Sequence, residues 1–288
     1  MKIAYLITAY SDFAHLERLV GALDAPGVWF FIHIDARSTV PDGVTERLSA
    51  RGNVTLAPRR PVWWGGWSHV EAILALMKEA AASGGWDYYV VLSGADYPIR
   101  SNAAIFETLS GGGEFINATP GFRAGKPEGR VCYYWFDRFD RRRITPRALI
   151  MRGAEMALRG LGVVKRRYPF AEIYSGIVWS ALSGGCVRYI LDYIRDNPRY
   201  VAFFRTALIP EEMFFHTIIG NSPFAPDIRH TPTFMDWNHS SASPPLIGEA
   251  HLSRLAPGAS PPVDRLFARK FNDASGPILD YIDAEFRG

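Results

Sequence analysis

The chain has 288 residues, 48% hydrophobic and 14% aromatic, which excludes a disordered or low-complexity protein and allows a large buried core. Its formal net charge is only +3, although a pI of 8.8 conceals a local excess of cations. Two cysteines, Cys132 and Cys186, give neither a disulfide framework nor a zinc spacing, and the run from Met1 to Ile7 is too short for a signal peptide.

No stretch approaches the ~20 apolar residues that a membrane span needs, and the sparse cysteines suit a reducing cytoplasm, the expected location. Lys2 to Thr8 reads as a first buried strand. Asp12 is placed to cap the helix that follows, in which Leu16, Leu19, Val20 and Leu23 recur at helical spacing until Pro26-Gly27. Val28 to Ile34 is a second, almost wholly apolar strand ending at Asp35. Strand, helix and strand at this spacing form a βαβ unit, which predicts a parallel sheet. A short strand is expected over Val54 to Ala57.

Val62-Trp63-Trp64-Gly65-Gly66-Trp67-Ser68 sets three tryptophans around two glycines. They suit a wall for a sugar or base, or core aromatics at a tight bend. Ser68-His69-Val70-Glu71 has the pattern of a capping box, which makes Glu71 structural, and Val70, Ile73, Leu74 and Met77 give the helix its buried face. The stretch from Asp87 to Pro98 is the central strand: apolar and aromatic residues run together to Ser93-Gly94, as in a strand buried on both faces. Asp96 follows the turn, and Pro98 keeps Tyr97 extended. An acid at the carboxyl end of a strand either meets a ligand or closes a turn. Ser101 caps the next helix, with Ile105, Phe106 and Leu109 inward; Gly111-Gly112-Gly113 ends it, and Glu114 to Ala118 reads as a strand. No strand is followed by G-x-G-x-x-G or by G-x-x-x-x-G-K, so a nucleotide would not be held by a Rossmann or P-loop helix terminus.

From Arg138 to Arg167 the chain carries Arg138, Arg141, Arg142, Arg143, Arg147, Arg152, Arg159, Lys165, Arg166 and Arg167 against few acids. This is a solvated basic face or a surface for anionic lipid or an acidic acceptor; it lacks the aromatic interleaving of a nucleic-acid module. Glu172 to Leu182 reads as a strand in which Gly176 admits a close neighbour. Ser183 caps a helix stopped at Asn197-Pro198. Next comes Ile209-Pro210-Glu211-Glu212-Met213-Phe214-Phe215-His216, with Pro210 at a first helical position and two acids in the first turn. Met213, Phe214 and Phe215 would frame a carboxylate with apolar surface, which suits a general base. Glu212 and His216 would share a helix face, but no third ligand is evident and no metal site is expected. Pro244-Pro245 and the run from Pro257 to Pro262 mark irregular connections. Leu266-Phe267-Ala268-Arg269-Lys270-Phe271 sets two cations among aromatics, where Lys270 can hold a phosphate or simply snorkel to water. Pro277 starts a terminal helix.

Six segments together resemble the core-2/I-branching family of glycosyltransferases. They are Phe31-Ile32-His33-Ile34-Asp35, Trp64 to Ala72, Leu92 to Ile99, Pro210 to Thr217, Asp236-Trp237 and Phe267 to Phe271. The resemblance implies one α/β domain over 1–288 of the GT-A type, with a central, mostly parallel, twisted sheet flanked by helices. Residues 1–120 would form the nucleotide-sugar half, and 121–288 the acceptor half with a C-terminal segment at the diphosphate. It implies inverting transfer from a UDP-sugar, N-acetylglucosamine or xylose, to a hydroxyl of a glycan or lipid-linked acceptor, with no other cofactor. Glu212 matches the catalytic base and Lys270 the cation facing the leaving diphosphate. Arg269, Asp35 and Asp96 fall at the donor, and Trp237, Glu211 and Trp179 at the acceptor. Like that family, the chain has no Asp-x-Asp, so metal-independent transfer is expected, with Lys270 and Arg269 supplying the charge. The family's second upstream cation has no counterpart near Ala242; His239, Arg254 or Arg269 would replace it. The rivals are a non-catalytic sugar or nucleotide binder and a metal-dependent transferase. The basic segment 138–167 leaves room for peripheral contact with the inner face of a membrane, and no nucleic-acid partner is expected.

Overall fold

The computed structural model describes residues 1–123, 125–165, 167–237, 243–259 and 264–288. β1 (Ile3–Ala9), α1 (Phe13–Leu23) and β2 (Val28–Ile34) form the expected βαβ unit, with Tyr5 paired to Phe30 across the parallel strands. α2 (Val44–Ser49) leads to β3 (Val54–Leu56), parallel to β2. α3 (Trp67–Ser83) returns the chain to β4 (Tyr88–Ser93), which is buried throughout and parallel to β1, as its unbroken apolar run requires. β5 (Asp96–Pro98) and α4 (Asn102–Ser110) follow, α4 capped by Ser101 Oγ accepting from Ala104 N.

The remaining elements follow in chain order. They are β6 (Glu114–Phe115), β7 (Thr119–Pro120), α5 (Gly129–Cys132), α6 (Pro146–Gly160), β8 (Tyr174–Ser175) and β9 (Ser180–Ser183). Then come α7 (Gly184–Asp196), α8 (Pro198–Phe204), a 3-10 turn at Pro210–Glu212, α9 (Phe214–Gly220), β10 (Ile228–Arg229) and β11 (Thr233–Met235). α10 (Glu249–Leu255), β12 (Phe267–Arg269) and α11 (Gly276–Phe286) close the chain.

The main sheet has the order β10-β6-β9-β4-β1-β2-β3 and is parallel except where β9 runs antiparallel to β4 and β6. Strand alternation divides the core between its two faces. Tyr5, Ile7, Phe30, Val90 and Leu92 pack with Leu16, Leu48, Leu109 and Ile282; Leu6, Phe31, Tyr89 and Val91 pack with Ile73, Val187, Phe204 and Ile218. β9 therefore joins the first half's sheet, and β12 runs antiparallel to β5. α11 returns to α1, where Arg18 reaches Asp280 at 2.7 Å and Asp283 at 2.8 Å.

Four local expectations are corrected. Asp12 does not cap α1: it adopts φ 54°, and its carboxylate accepts from Ser11 Oγ and from Asp273 N, tying the C-terminal segment down. Ser68 and Glu71 form no capping box, because α3 starts at Trp67 and its end is capped from elsewhere: Ser68 N donates to Asp137 Oδ2 at 2.8 Å. The strand expected over Glu114 to Ala118 ends at Phe115. The one expected over Glu172 to Leu182 is broken, because β8 pairs with β7 while β9 joins the main sheet.

Candidate active site

The carboxyl ends of β1, β2 and β4 open onto a cleft of about 650 Å³, closed from the other side by the Trp63–Gly65 loop, the Ile177–Trp179 loop and the ends of β11 and β12. This is where the crossover topology of an open α/β sheet leaves a crevice. Asp35, Trp179, Glu211, Glu212, Trp237, Arg269 and Lys270 all line it.

The acidic side is set by a strained backbone. Ile209 has φ 49°, unusual for a β-branched residue, and is held there by its N donating to Gly65 O at 2.8 Å. The turn that follows brings Glu211 and Glu212 to the cleft. Lys126 Nζ lies 3.0 Å and Arg130 Nη1 2.7 Å from Glu212 Oε2, so Oε1 is the oxygen left for a ligand. The apolar frame expected for Glu212 is absent: Met213, Phe214 and Phe215 are buried in the core, and the carboxylate meets two cations instead. Glu211 Oε1 lies 3.3 Å from His69 Nδ1, while its Oε2 is buried without a hydrogen-bond partner. His216 does not share Glu212's face; it sits on α9, fully buried, with Nε2 donating to Ile177 O at 2.9 Å. Gly176 admits the close neighbour foreseen: a Cβ there would lie 1.4 Å from Asn117 O, and Gly176 N donates to Glu212 O at 2.9 Å.

The cationic side lies on β12. Arg269 is buried, its guanidinium 4.0 Å above the Trp179 ring and its Nε 3.7 Å from Asp96 Oδ1. That separation is too long for a hydrogen bond, and Arg269 Nε and Nη1 and Asp96 Oδ1 have no hydrogen-bond partner. A buried guanidinium with unmade hydrogen bonds is set to receive anionic oxygens. Lys270 Nζ donates to Ser243 Oγ at 2.6 Å; burial, then the adjacent Arg269, push its ammonium below the ordinary lysine range. The placement of Asp96 is a correction. It is 0% exposed, beneath the cleft, where Oδ2 accepts from Ser93 N and from Ser93 Oγ, and its Oδ1 faces Arg269 rather than the cleft. Asp35 faces the cleft while accepting from Arg37 N at 2.9 Å and Val62 N at 3.2 Å.

The tryptophans of the glycine-rich loop divide. Trp63, under Arg37 at 3.9 Å, and Trp64 line the cleft, whereas Trp67 packs edge-on against Phe214 in the core. The basic middle segment divides too. Arg142 and Arg143 line the cleft, Arg141 pairs with Glu155 at 2.5 Å, and Lys165 Nζ donates to Phe203 O and Thr206 O, where burial pushes it down to about 8. Arg254 is bound to Asp236 at 2.9 Å. Arg166, His239, Ala242 and Pro261-Pro262 lie outside the described residues. Among the described residues no group of three or more His, Cys, Asp or Glu could hold a metal ion. Lys126, Arg130, His69 and Arg37 were not singled out from sequence; Arg130 is 82 positions from the acid it grips, and no local pattern marks it.

Residues 3–255 match the family model described as Branch: Core-2/I-Branching enzyme. The chain is 28% identical over 246 residues to Xylosyltransferase oxt of Drosophila melanogaster, covering 83% of this chain and 26% of that one. It is 30% identical over 231 residues to Xylosyltransferase 2 of Rattus norvegicus, covering 77% and 25%. The chain thus spans about a quarter of the length of these curated relatives. Among solved structures, S. aureus TarS 1-349 aligns with a TM-score of 0.33 and 11% identity over 69% of this chain and 49% of that one.

Proposed function

The chain belongs to the core-2/I-branching enzyme family, a family of glycosyltransferases, and from that premise we propose that it moves a sugar from a UDP-sugar to a hydroxyl of a glycan acceptor. The observation that carries this reading is that one cleft joins a carboxylate turn, Glu211-Glu212, to the cation pair Arg269-Lys270. In this reading Glu212 Oε1 takes the proton of the acceptor hydroxyl. The hydroxyl oxygen then bonds to the anomeric carbon as the bond to the diphosphate breaks, and the electron pair leaves on UDP. Attack from the face opposite the leaving group inverts the configuration.

Lys270 and the unsatisfied Arg269 stabilise the charge that develops on the diphosphate, the part a metal ion plays where Asp-x-Asp is present. Asp96 positions Arg269 from below. Trp179 and Trp237 offer flat apolar surface to a sugar ring on the acceptor side. The sheet with its cleft at the strand ends is read as the GT-A type, and the relatives' names favour xylose as the donor sugar over N-acetylglucosamine.

The test is transfer from a panel of UDP-sugars to oligosaccharide acceptors in the presence of EDTA, with the new linkage read by NMR. Product of inverted anomeric configuration, formed at an undiminished rate in EDTA, is the expected result. Loss of transfer in EDTA with recovery on adding Mn²⁺ would replace the cation-pair mechanism with a metal-assisted one. UDP binding without transfer from any sugar would reduce the protein to a binder.

A further inference from the structure

α6 is amphipathic the wrong way round for a helix facing water. Ala148, Arg152, Glu155 and Arg159, spaced by four, three and four, form its inner stripe. Glu155 is buried and accepts from Phe136 N at 2.8 Å as well as pairing with Arg141; Arg152 donates to Arg141 O; Arg159 lies 3.8 Å over Trp135. The opposite arc, Leu149, Ile150, Gly153, Met156, Ala157 and Gly160, holds no charge and is exposed throughout. Ile144 and Leu161 extend it at either end, 83% and 78% exposed. Six of the twelve large exposed apolar side chains among the described residues fall between positions 144 and 163.

The segment that carries this strip is cationic. Residues 138–167 contain ten Arg and Lys against two acids, Asp140 and Glu155, and both acids are buried. Asp140 is surrounded by Arg37, Arg142 and Arg143 at 3.5–3.6 Å. Arg138, Arg142, Arg143, Arg147 and Arg167 are exposed, so the outward charge of the described part of this segment is positive.

We propose that α6 and its flanks dock on an anionic lipid bilayer, the apolar arc entering the acyl boundary and the arginines meeting the headgroup phosphates. Charge selects this occupant. A second copy would bring two arginine-rich segments together, whereas an anionic bilayer satisfies both the strip and the segment's charge. Among the described residues no helix is long and apolar enough to cross a membrane, so the contact lies in the interface plane. The inference is independent of the proposed donor and acceptor. If both hold, Arg142 and Arg143, which line the cleft, bring its rim to the bilayer surface and favour a lipid-linked acceptor.

The test is flotation of the full chain with phosphatidylcholine vesicles, with and without phosphatidylglycerol. The chain should float with the anionic vesicles and remain behind with neutral ones or in high salt. The combined variant Leu149→Ser, Ile150→Ser, Met156→Ser should bind roughly tenfold or more weakly, and Arg147→Glu several-fold more weakly, with unfolding midpoints and UDP affinity unchanged. Failure of the wild type to float with anionic vesicles overturns the proposal, as does equal flotation of the triple variant. So does a dimer, seen by light scattering, that the triple variant abolishes while no vesicle binding occurs.

Discussion

Glu212 combines two properties that bear on its use as a base. Its Oε2 is gripped by Lys126 and Arg130, which fixes the carboxylate's orientation and leaves Oε1 outside both contacts, the oxygen that the proposed mechanism assigns to the acceptor. Glu212→Gln keeps the shape and removes the proton acceptor, so kcat should fall about 10²–10⁴-fold while the Kd for UDP is unchanged. Glu211→Gln, one residue away, should spare most of kcat; near-normal turnover in Glu212→Gln together with collapse in Glu211→Gln would exchange their roles. On the opposite side, Lys270→Ala removes a charge-assisted contact of about 1.5–3 kcal/mol, so calorimetry should show UDP binding weakened roughly tenfold to hundredfold. An unchanged Kd would detach Lys270 from the diphosphate. Glu212, Lys270 and Trp237 stand out in the sequence because each sits in a short run that resembles a family segment, and all three line the cleft. Lys126 and Arg130 do not stand out, because they reach the site only through the fold. Asp96 was legible as a conspicuous acid but not as a buried one: nothing local to Ser93-Gly94-Ala95-Asp96 says which side of the turn it takes.

Among elements, the start of α3 ties the tryptophan loop to the middle of the chain. Gly66 is its N-cap residue and has no side chain to offer, and Asp137 supplies the carboxylate, its Oδ2 accepting from Ser68 N and its Oδ1 from Ser68 Oγ at 3.3 Å. An acid at a helix N-terminus also meets the positive end of the helix dipole. Asp137→Ala should therefore cost about 0.5–2 kcal/mol in urea unfolding, the usual loss of a cap. Gly66→Ala should cost a similar amount, because its Cβ would lie 1.9 Å from Asp137 Oδ1 and evict the same cap. Equal stability of Asp137→Ala and the wild type would make the contact incidental. The sequence pattern could not reveal this cap, because Ser68 to Glu71 offers a local alternative and the true partner is remote. The same contrast runs through the sheet. β1, β2 and β4 are six or seven residues long and almost wholly apolar, and were readable as buried strands of a parallel sheet, though not in their order. β6 to β8 have two residues each, and which edge each joins is decided by the packing around them.

Over the whole molecule, the second core cluster depends on a histidine that stays neutral. His216 is fully buried on α9; Nε2 donates to Ile177 O, and Nδ1 has no partner. Burial, with the nearby charge of Lys126 second, pushes its pKa down to about 3. The unfolded chain takes up a proton on this side chain below about 6.5, and the folded chain does not until about 3. Between those values the unfolded state binds more protons, so acid favours unfolding and stability falls as the pH drops through that window. At pH 5 the loss from His216 is about 2 kcal/mol relative to neutral pH. Burial also lowers His15 and His33, which add to the same trend in wild type and variant alike. The measurement is urea unfolding of the wild type and of His216→Gln at pH 7 and pH 5. The variant's overall stability is lower or higher by some fixed amount, but its change between the two pH values should be smaller than the wild type's by about 2 kcal/mol. Parallel curves would assign the acid sensitivity to other groups. A Cβ at Gly176 would lie 2.7 Å from the His216 ring, and Gly176 N donates to Glu212 O, so the neutral imidazole packs directly beneath the carboxylate turn.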